Sequence, residues 1–415
     1  MTLDDLEFLC TDAGRDLLDL AAGLDWSRAH QVASTAAVRR ADPVHAAAAI
    51  DVVTARARAR GRIRGGEAML LTDEAVQQAT AWPVAALRAQ RLSGRAVHDV
   101  TCSVGADLGE LVRTADRVIG SDLDPLRARM AALNVPDALV CVADALAPPS
   151  RDAVLVADPA RRTGGRRVHD PARLSPPLPD LLATATDRDH VIKCAPGLDT
   201  SVLAHSGEVE LVSLDGSVRE ACLWSSGLSA GVRRRATVVR TTTDDRPGPW
   251  GPPRLVSDGV AVHVEEVTDG DDDEVDAHGE PDRFIVDPDG AVVRAGLVRH
   301  WALRHGLRQL DPRIAHLTGP RIPDGYTGFE VLERCRLDRK QLRRALRQRD
   351  CGSLEILVRG VDTDPDVLRR SLALSGSQPL ALVVTRIGSS AAVFVCGPRT
   401  GRTDTEHLTT AHSKT

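Results

Sequence analysis

The chain has 415 residues, too many for one ordinary hydrophobic core, so two or three domains are expected. Hydrophobic residues make up 42% of the chain and aromatic residues only 2%, which predicts compact cores built from Leu, Val, Ile and Ala. The net charge of −5 excludes a nucleic-acid-binding protein that is basic throughout, but it leaves room for a local basic face.

Cysteine spacing and hydropathy exclude further classes of protein. The eight cysteines are scattered and form no C-x-x-C pair, which argues against a zinc site and a disulfide framework, so no bound metal is expected. The acidic segment at residues 1–5 lacks the character of a signal peptide, and no apolar run approaches the length of a membrane span. The sequence therefore predicts a soluble cytoplasmic protein with no membrane partner.

Residues 1–94 are predicted to form a helical region. One of its helices should begin at Thr72, because the acidic residues that follow would lie in the first turn, where the helix dipole favours anions. Pro83 is expected to divide the helical stretch, since its ring blocks the backbone hydrogen bonds of a helix interior.

From residue 95, short apolar runs alternate with helical stretches, which predicts a parallel sheet covered on both faces. The strand candidates are residues 96–100, 118–120, 139–142, 153–157 and 191–194. Two more, at 208–213 and 218–224, flank an Asp-Gly pair, which is a strong hairpin signal. Residues 95–227 are therefore predicted to form a doubly wound, Rossmann-like α/β core of seven strands.

The rest of the chain is predicted to form a connecting region, a small domain and a tail. Residues 228–327 read as a connecting α+β region, with a flexible acidic insertion expected within 241–282. The pattern of residues 328–398 predicts a strand, a helix, a strand, a helix and two strands, which is typical of a small α+β domain. The polar residues at 399–415 are expected to form a disordered tail.

The turn after the first strand of the core has the composition of a cofactor-binding turn. Asp99 ends that strand, and Cys102, Ser103, Gly105 and Ala106 follow it. Small residues let a ligand approach the backbone closely, and the helix N-terminus beyond them favours an anionic group. Taken alone, this pattern would also fit a turn that binds nothing.

Acidic residues also end the next two strands. Asp122 lies 23 residues after Asp99, where a carboxylate binds the ribose hydroxyls of a nucleoside cofactor. Asp144 ends the third strand, in a position to accept a hydrogen bond from an adenine amino group. Their neighbours Leu123 and Ala145 are expected to contribute to the same cofactor site.

A fourth acidic residue, Asp158, ends the fourth strand and is followed by Pro159. Four such residues on successive strands predict a site for S-adenosylmethionine, and the G-x-G-x-x-G turn of NAD enzymes is missing. Asp158, with Pro159 fixing its backbone, is a catalytic candidate that would orient an exocyclic amine by accepting its hydrogen bond. Arg161, the third catalytic candidate, would stack on the target or hold a phosphate.

The core resembles RNA base methyltransferases, including relatives of trimethylguanosine synthase. Their motifs D-x-x-C-G-x-G-G-N and D-I-D-P-x-x-x-x-x-A-x-x-N are matched by Asp99, Cys102, Gly105, Asp122, Asp124, Pro125 and Asn134. Over most of residues 60–398 the chain resembles bacterial methyltransferases that carry a C-terminal THUMP-like, ferredoxin-like module. Their D-P-A-R-R segment begins here at Asp158, and a further segment like theirs covers residues 294–299.

This resemblance implies methyl transfer from S-adenosylmethionine, and RNA is the leading expectation for the substrate. The D/N-P-P-Y/F/W motif of amino methyltransferases has become D-P-A-R here, so its aromatic residue is missing. The basic run at 161–167 would contact phosphates, whereas the basic stretch at 334–349 is explained about equally well by RNA binding and by the arginine-rich composition. A small-molecule methyltransferase, or a binding protein that has lost catalysis, remains an alternative.

Overall fold

The computed structural model describes residues 1–160, 170–198, 205–277 and 279–401, and also the backbone of 162–163 and 166–167. Arg161 and most of the expected tail therefore lie outside the described residues. The chain divides into two compact units. The first comprises Met1–Val209 and Glu220–Gly231, and the second comprises Glu210–Arg219 and Val232–Thr415.

The first unit begins with helices, as the sequence predicts. They are α1 (Leu3–Leu9), α2 (Asp12–Ala22), α3 (Gln31–Ala41), α4 (Ala46–Ala59), α5 (Asp73–Gln78) and α6 (Trp82–Arg91). The side chain of Thr72 caps α5 by accepting a hydrogen bond from the N–H of Ala75 at 3.2 Å. Pro83 lies in the first turn of α6, so the division of the helical stretch at this proline is confirmed.

The α/β core follows. Its elements are β1 (Ala96–Asp99), α7 (Leu108–Leu111), β2 (Arg117–Asp122), α8 (Pro125–Asn134), β3 (Leu139–Val142), β4 (Val154–Ala157), β5 (Arg162–Thr163), β6 (Arg166–Arg167), α9 (Leu178–Thr184), β7 (His190–Cys194), β8 (Glu208–Leu214), β9 (Ser217–Trp224) and α10 (Ser226–Ser229). A 3₁₀ turn, Pro171–Arg173, precedes α9, and β5 and β6 form a small hairpin of their own.

Five strands of the core pair in parallel in the order β3-β2-β1-β4-β7, and β9 pairs antiparallel with β7. The turn between β8 and β9 places Asp215 and Gly216 at φ angles of 51° and 82°, as a tight hairpin requires. The seven predicted strands are therefore confirmed. The strand order reverses between β1 and β4, and ligands of such sheets bind at the carboxyl ends beside that point.

Close packing fixes the turn after β1 against the sheet. Gly120 lies in β2, and a Cβ atom built on it would lie 2.6 Å from Cδ1 of Leu108 and 3.2 Å from Sγ of Cys102. A larger residue at position 120 would therefore push α7 and the preceding turn away from the strand.

Asn134, the last residue of α8, joins the helical region to the core. Its Oδ1 accepts a hydrogen bond from the N–H of Leu70 at 2.7 Å. Its Nδ2 donates to the carbonyl oxygens of Leu70 and Val104, both at 2.9 Å. Because Val104 belongs to the turn after β1, one side chain holds that turn and the segment before α5 together.

The second unit contains the remaining elements, together with residues 210–214 of β8 and residues 217–219 of β9. They are β10 (Arg234–Thr242), β11 (Leu255–Ser257), β12 (Val260–Thr268), β13 (Phe284–Val286), α11 (Gly290–Arg294), α12 (Val298–Arg304), β14 (Arg308–Asp311), β15 (Ile314–Gly319), β16 (Gly328–Cys335), α13 (Arg339–Arg347), β17 (Cys351–Arg359), α14 (Pro365–Leu372), β18 (Gln378–Ile387) and β19 (Ser390–Cys396).

The expectation of a flexible insertion at 241–282 is wrong for much of that range. β12 pairs antiparallel with both β10 and β11, and its residues Ala261, Val262 and Val267 are buried. The acidic run at residues 270–274 is anchored too, because Asp271 accepts a hydrogen bond from the N–H of Thr268 at 2.8 Å and forms an ion pair with Arg304 at 3.0 Å. Charge composition suggested a loop, but the alternating apolar residues of β12 determine the structure.

The last predicted elements, from β16 to β19, are confirmed in kind and order. They lie in a sheet with the order β14-β15-β13-β16-β19-β18-β17, in which β17 and β18 are parallel. Their order, β-α-β-α-β-β, differs from the β-α-β-β-α-β order of a ferredoxin-like module. The sheet also includes β13, β14 and β15, which precede residue 328 in the chain. Within the described residues, no helix is long and apolar enough to cross a membrane.

The variant Asn134→Ala should destabilise the first unit by about 3 kcal/mol, since it removes three hydrogen bonds of about 1 kcal/mol each. Urea denaturation followed by tryptophan fluorescence would measure this loss. Arg129→Ala, on the exposed face of the same helix, is the matched control and should change stability by less than about 0.5 kcal/mol. Equal losses in the two variants would show that the link through Asn134 is unimportant.

Candidate active site

A cleft of about 220 Å³ lies at the carboxyl ends of the parallel strands of the first unit. The four acidic residues predicted from the sequence all line it: Asp99, Asp122, Asp144 and Asp158. The other predicted cofactor residues that line it are Cys102, Ser103, Leu123 and Ala145. Gly105 and Pro159 are not part of the described lining, and Arg161 lies outside the described residues.

The turn after β1 fixes the carboxylate of Asp122. Ser103 has a left-handed backbone with a φ angle of 49°, and its N–H donates to Oδ2 of Asp122 at 3.0 Å. The N–H of Asp124 donates to the other oxygen at 2.9 Å. Gly105 has a φ angle of 88°, and a Cβ atom built on it would lie 3.3 Å from Cα of Ala131. Gly105 therefore shapes the turn from behind without facing the cleft.

The cleft also offers a surface for a nucleoside. Leu123 is 71% exposed although it is apolar, and Ala145 lines the same cleft. The carboxylate of Asp144 is held in place by the N–H of Leu146 at 2.9 Å. Apolar side chains beside two fixed carboxylates suit an aromatic base that carries ribose hydroxyls and an amino group. The residues present therefore fit the expected cofactor.

The cysteine of the turn is a packing residue. Cys102 is buried, and burial raises the pKa of its thiol far above the ordinary range, so the thiol stays protonated. Cys194 in β7 is also buried. Neither residue is therefore placed to act as a nucleophile, because only an accessible thiolate attacks readily.

Lys193 is the main residue of the cleft that the sequence reasoning missed. It lies in β7, and the pairing of Ala157 with Ile192 in the neighbouring β4 puts Lys193 beside Asp158. Its Nζ donates to Oδ2 of Asp158 and Oγ1 of Thr80, both at 2.5 Å, and lies 3.4 Å from Oδ2 of Asp107. One signal was available: Lys193 is one of only three lysines in the chain, and it interrupts an apolar strand.

Lys193 belongs to a row of alternating charges, which we call the charge row: Glu220, Arg88, Asp107, Lys193 and Asp158. Arg88 of α6 pairs with Oδ2 of Asp107 at 2.7 Å and with Glu220 of β9. Burial alone would raise the pKa of Asp107, but the cations of Lys193 and Arg88 hold it below the ordinary value. Burial alone would lower the pKa of Lys193, but Asp107 and Asp158 raise it above the ordinary range, so the ammonium stays charged.

Asp99 is the residue of the cleft that titrates near neutral pH. Burial, together with the nearby charge of Asp107, raises the pKa of Asp99 to about 7. Its Oδ1 accepts the N–H of Thr101 at 3.1 Å. The hydroxyl oxygen of Thr101 in turn accepts the N–H of Asp158 at 2.7 Å, so Thr101 fixes the backbone of the catalytic candidate.

Residues from the helical region form one wall of the cleft. They are Ala75, Gln78, Ala79 and Thr80, which come from α5 and the segment after it. The guanidinium of Arg62 holds this segment by donating to the carbonyl oxygen of Ala79 at 2.7 Å. No sequence motif marks this contribution, because it depends on how the helices pack against the core.

Comparison with known proteins gives two domain matches and two close relatives. Residues 326–398 match the family described as THUMP domain-like, and residues 2–59 match a domain of unknown function, DUF8688. Sequences from Mycobacterium tuberculosis strains CDC 1551 / Oshkosh and H37Rv, each named an uncharacterized S-adenosylmethionine-dependent methyltransferase, are 48% identical over 368 residues. The match covers 84% of this chain and 96% of each relative.

A solved structure shares the fold. The crystal structure of a candidate methyltransferase from Porphyromonas gingivalis W83 superposes with a TM-score of 0.67 and covers 92% of this chain and 98% of its own. The two sequences are 18% identical, so this likeness concerns the fold alone.

The titration of Asp99 should make binding of S-adenosylmethionine depend on pH. That molecule carries a net positive charge, so it should bind more tightly once Asp99 ionises. Because the pKa of Asp99 is about 7, the affinity should rise by up to about tenfold between pH 6 and pH 8, and it should level off above pH 8. Asp99→Asn should remove this rise. Calorimetry of both proteins across this range tests the prediction, and an equal pH dependence in the variant would contradict it.

Proposed function

The chain belongs to a family of S-adenosylmethionine-dependent methyltransferases, and we propose that it methylates an exocyclic base nitrogen of RNA. The observation that carries the proposal is an acidic side chain, Asp158, at the edge of the cofactor cleft and fixed by Lys193. RNA fits the cytoplasmic location that the sequence predicts, and that location stays a prediction.

The residues of the cleft divide the binding of the cofactor among them. In the proposal, Asp122 binds the ribose hydroxyls, Asp144 binds the adenine amino group, and Leu123 and Ala145 contact the faces of the base. The cofactor supplies a methyl group on a sulfonium that is already activated, so the protein has mainly to align the acceptor with it. Cys102 and Ser103 contribute through the small turn that lets the cofactor approach.

Asp158 provides the alignment. Its Oδ2 accepts a hydrogen bond from Lys193, and within the described residues no group donates to Oδ1. An exocyclic amine has N–H groups to donate to that oxygen, whereas its lone pair is weakened by conjugation with the ring. A fixed carboxylate orients this amine and stabilises the positive charge that develops on the nitrogen during transfer.

The basic helix α13 supports RNA as the substrate. Its apolar residues Leu342, Ala345 and Leu346 are buried, so its basic residues face outward. Many other arginines of the described residues pair with carboxylates. Within those residues, no carboxylate lies within ion-pair distance of the side chains of Arg339, Lys340, Arg344 and Arg347 in α13. An unpaired basic face suits a polyanion. It lies within the residues that match the THUMP domain-like family.

The variant Asp158→Ala should lower turnover about 10²-fold or more, as the loss of one preorganised polar group does. Its affinity for S-adenosylmethionine should change little, because the other acidic residues remain. The assay is transfer of tritiated methyl groups into RNA from cells that lack this protein, followed by mass spectrometry of the nucleosides. Asp158→Asn keeps the shape of the side chain and should also be impaired. Wild-type turnover in both would exclude the role of Asp158.

Replacing Arg339, Arg344 and Arg347 together with Gln should weaken RNA binding and lower the salt dependence by a slope of about 2. Fluorescence anisotropy with bulk transfer RNA over a salt series measures both quantities. A matched control replaces three exposed arginines of the first unit: Arg28, Arg39 and Arg40. Equal effects in the two triple variants would show that α13 has no special part in RNA binding.

A further inference from the structure

We propose that Lys193 is a positioning residue that holds the carboxylate of Asp158 in its working orientation and touches neither substrate nor cofactor. The inference rests on the proposed role of Asp158. An ammonium group has three N–H donors, and three oxygen atoms of the protein surround this one, on Thr80, Asp107 and Asp158. No donor remains for a ligand.

The position of Asp158 shows why it needs a partner. Its side chain is 32% exposed, whereas that of Lys193 is 4% exposed. A carboxylate at the mouth of a cleft would turn freely in water unless something held it. Thr101 fixes the backbone of Asp158, and Lys193 fixes Oδ2. Among the residues that the structure describes, none donates to Oδ1, which is the oxygen that the proposal gives to the acceptor amine.

The rest of the charge row keeps Lys193 charged and in place. Asp107 lies between Lys193 and Arg88, and Arg88 is paired with Glu220 as well. A protonated ammonium has no lone pair, so Lys193 cannot remove a proton from the acceptor. Its effect on catalysis must therefore pass through Asp158.

The first test uses Lys193→Met, which keeps a long side chain and removes the charge and all three donors. Turnover with RNA from cells lacking the protein should fall by about 10²-fold, close to the effect of Asp158→Ala. The KM for that RNA and the affinity for S-adenosylmethionine should change by less than about threefold, because Lys193 contacts neither. A raised KM with unchanged kcat would overturn the proposal, since it would place Lys193 in substrate binding.

A second measurement needs no RNA. Sinefungin carries a protonated amine where S-adenosylmethionine carries its methyl sulfonium, whereas S-adenosylhomocysteine has neither group. A fixed Asp158 should favour sinefungin over S-adenosylhomocysteine, as a charge-assisted hydrogen bond does. Calorimetry should show that Lys193→Met and Asp158→Ala each lose this preference by about tenfold or more. If Lys193→Met keeps the preference that Asp158→Ala loses, the positioning role is wrong.

The double variant Lys193→Met/Asp107→Asn separates positioning from charge balance. It removes one positive and one negative charge, so the stability that Lys193→Met loses should return. If Lys193→Met does not fold, the double variant replaces it in both measurements. Turnover and the preference for sinefungin should stay low, because Asp158 is still unheld. Their recovery would overturn the proposal and show that Lys193 only balances buried charge.

A matched control is Arg188→Met, which removes a cation that precedes β7, at the amino end of the strand. It should leave the preference for sinefungin unchanged. The outcomes also distinguish the positioning role of Lys193 from the methylation of RNA. If both variants lose the preference for sinefungin but the wild-type protein methylates no RNA, the positioning role of Lys193 stands and RNA is excluded as the substrate. If Asp158→Ala keeps both its turnover and its preference for sinefungin, the catalytic role of Asp158 is excluded, and the positioning role of Lys193 with it.

Discussion

The cost of burying charge is the constraint on which the site depends. A charge removed from water is tolerated only when an opposite charge and hydrogen bonds compensate it, and the loss of one partner leaves the next uncompensated. In the charge row each buried member contacts a neighbour of opposite sign, from Glu220 to Asp158. Its members come from helix α6, from strands β7 and β9, from the end of the turn that follows β1, and from the residue that follows β4. One electrostatic condition therefore fixes five separate parts of the first unit.

Much of the fold could be predicted from the sequence because its signals are local. The parallel strands appear as short apolar runs, the hairpin as Asp215-Gly216, and four acidic residues mark strand ends that a parallel sheet must bring together. The partners of Lys193 could not be predicted, since they depend on the register of β4 against β7. Strand β12 was missed because acidic and glycine-rich neighbours outweighed its alternating pattern. The wall from α5 depends on packing between distant segments.

The charge row offers an explanation for the altered motif after β4, in which the aromatic residue is missing. Enzymes with the full motif have an aromatic side chain to hold the target base, and this chain has Ala160 and Arg161 after Asp158-Pro159. Here orientation of the acceptor is assigned to a carboxylate whose backbone and side chain are both held. The proposed function assigns affinity for RNA to a different part of the chain, the basic face of α13. The two tasks can therefore change independently through substitutions far apart in sequence.

Leu123 has a consequence for the thermodynamics of the cofactor site. This large apolar side chain is 71% exposed at the edge of the cleft, where water must order around it. A base that covers Leu123 and Ala145 removes apolar surface from water, and such burial lowers the heat capacity of the complex relative to its separated parts. The enthalpy of cofactor binding should consequently become more favourable as the temperature rises, with a compensating loss of entropy that keeps the affinity nearly constant.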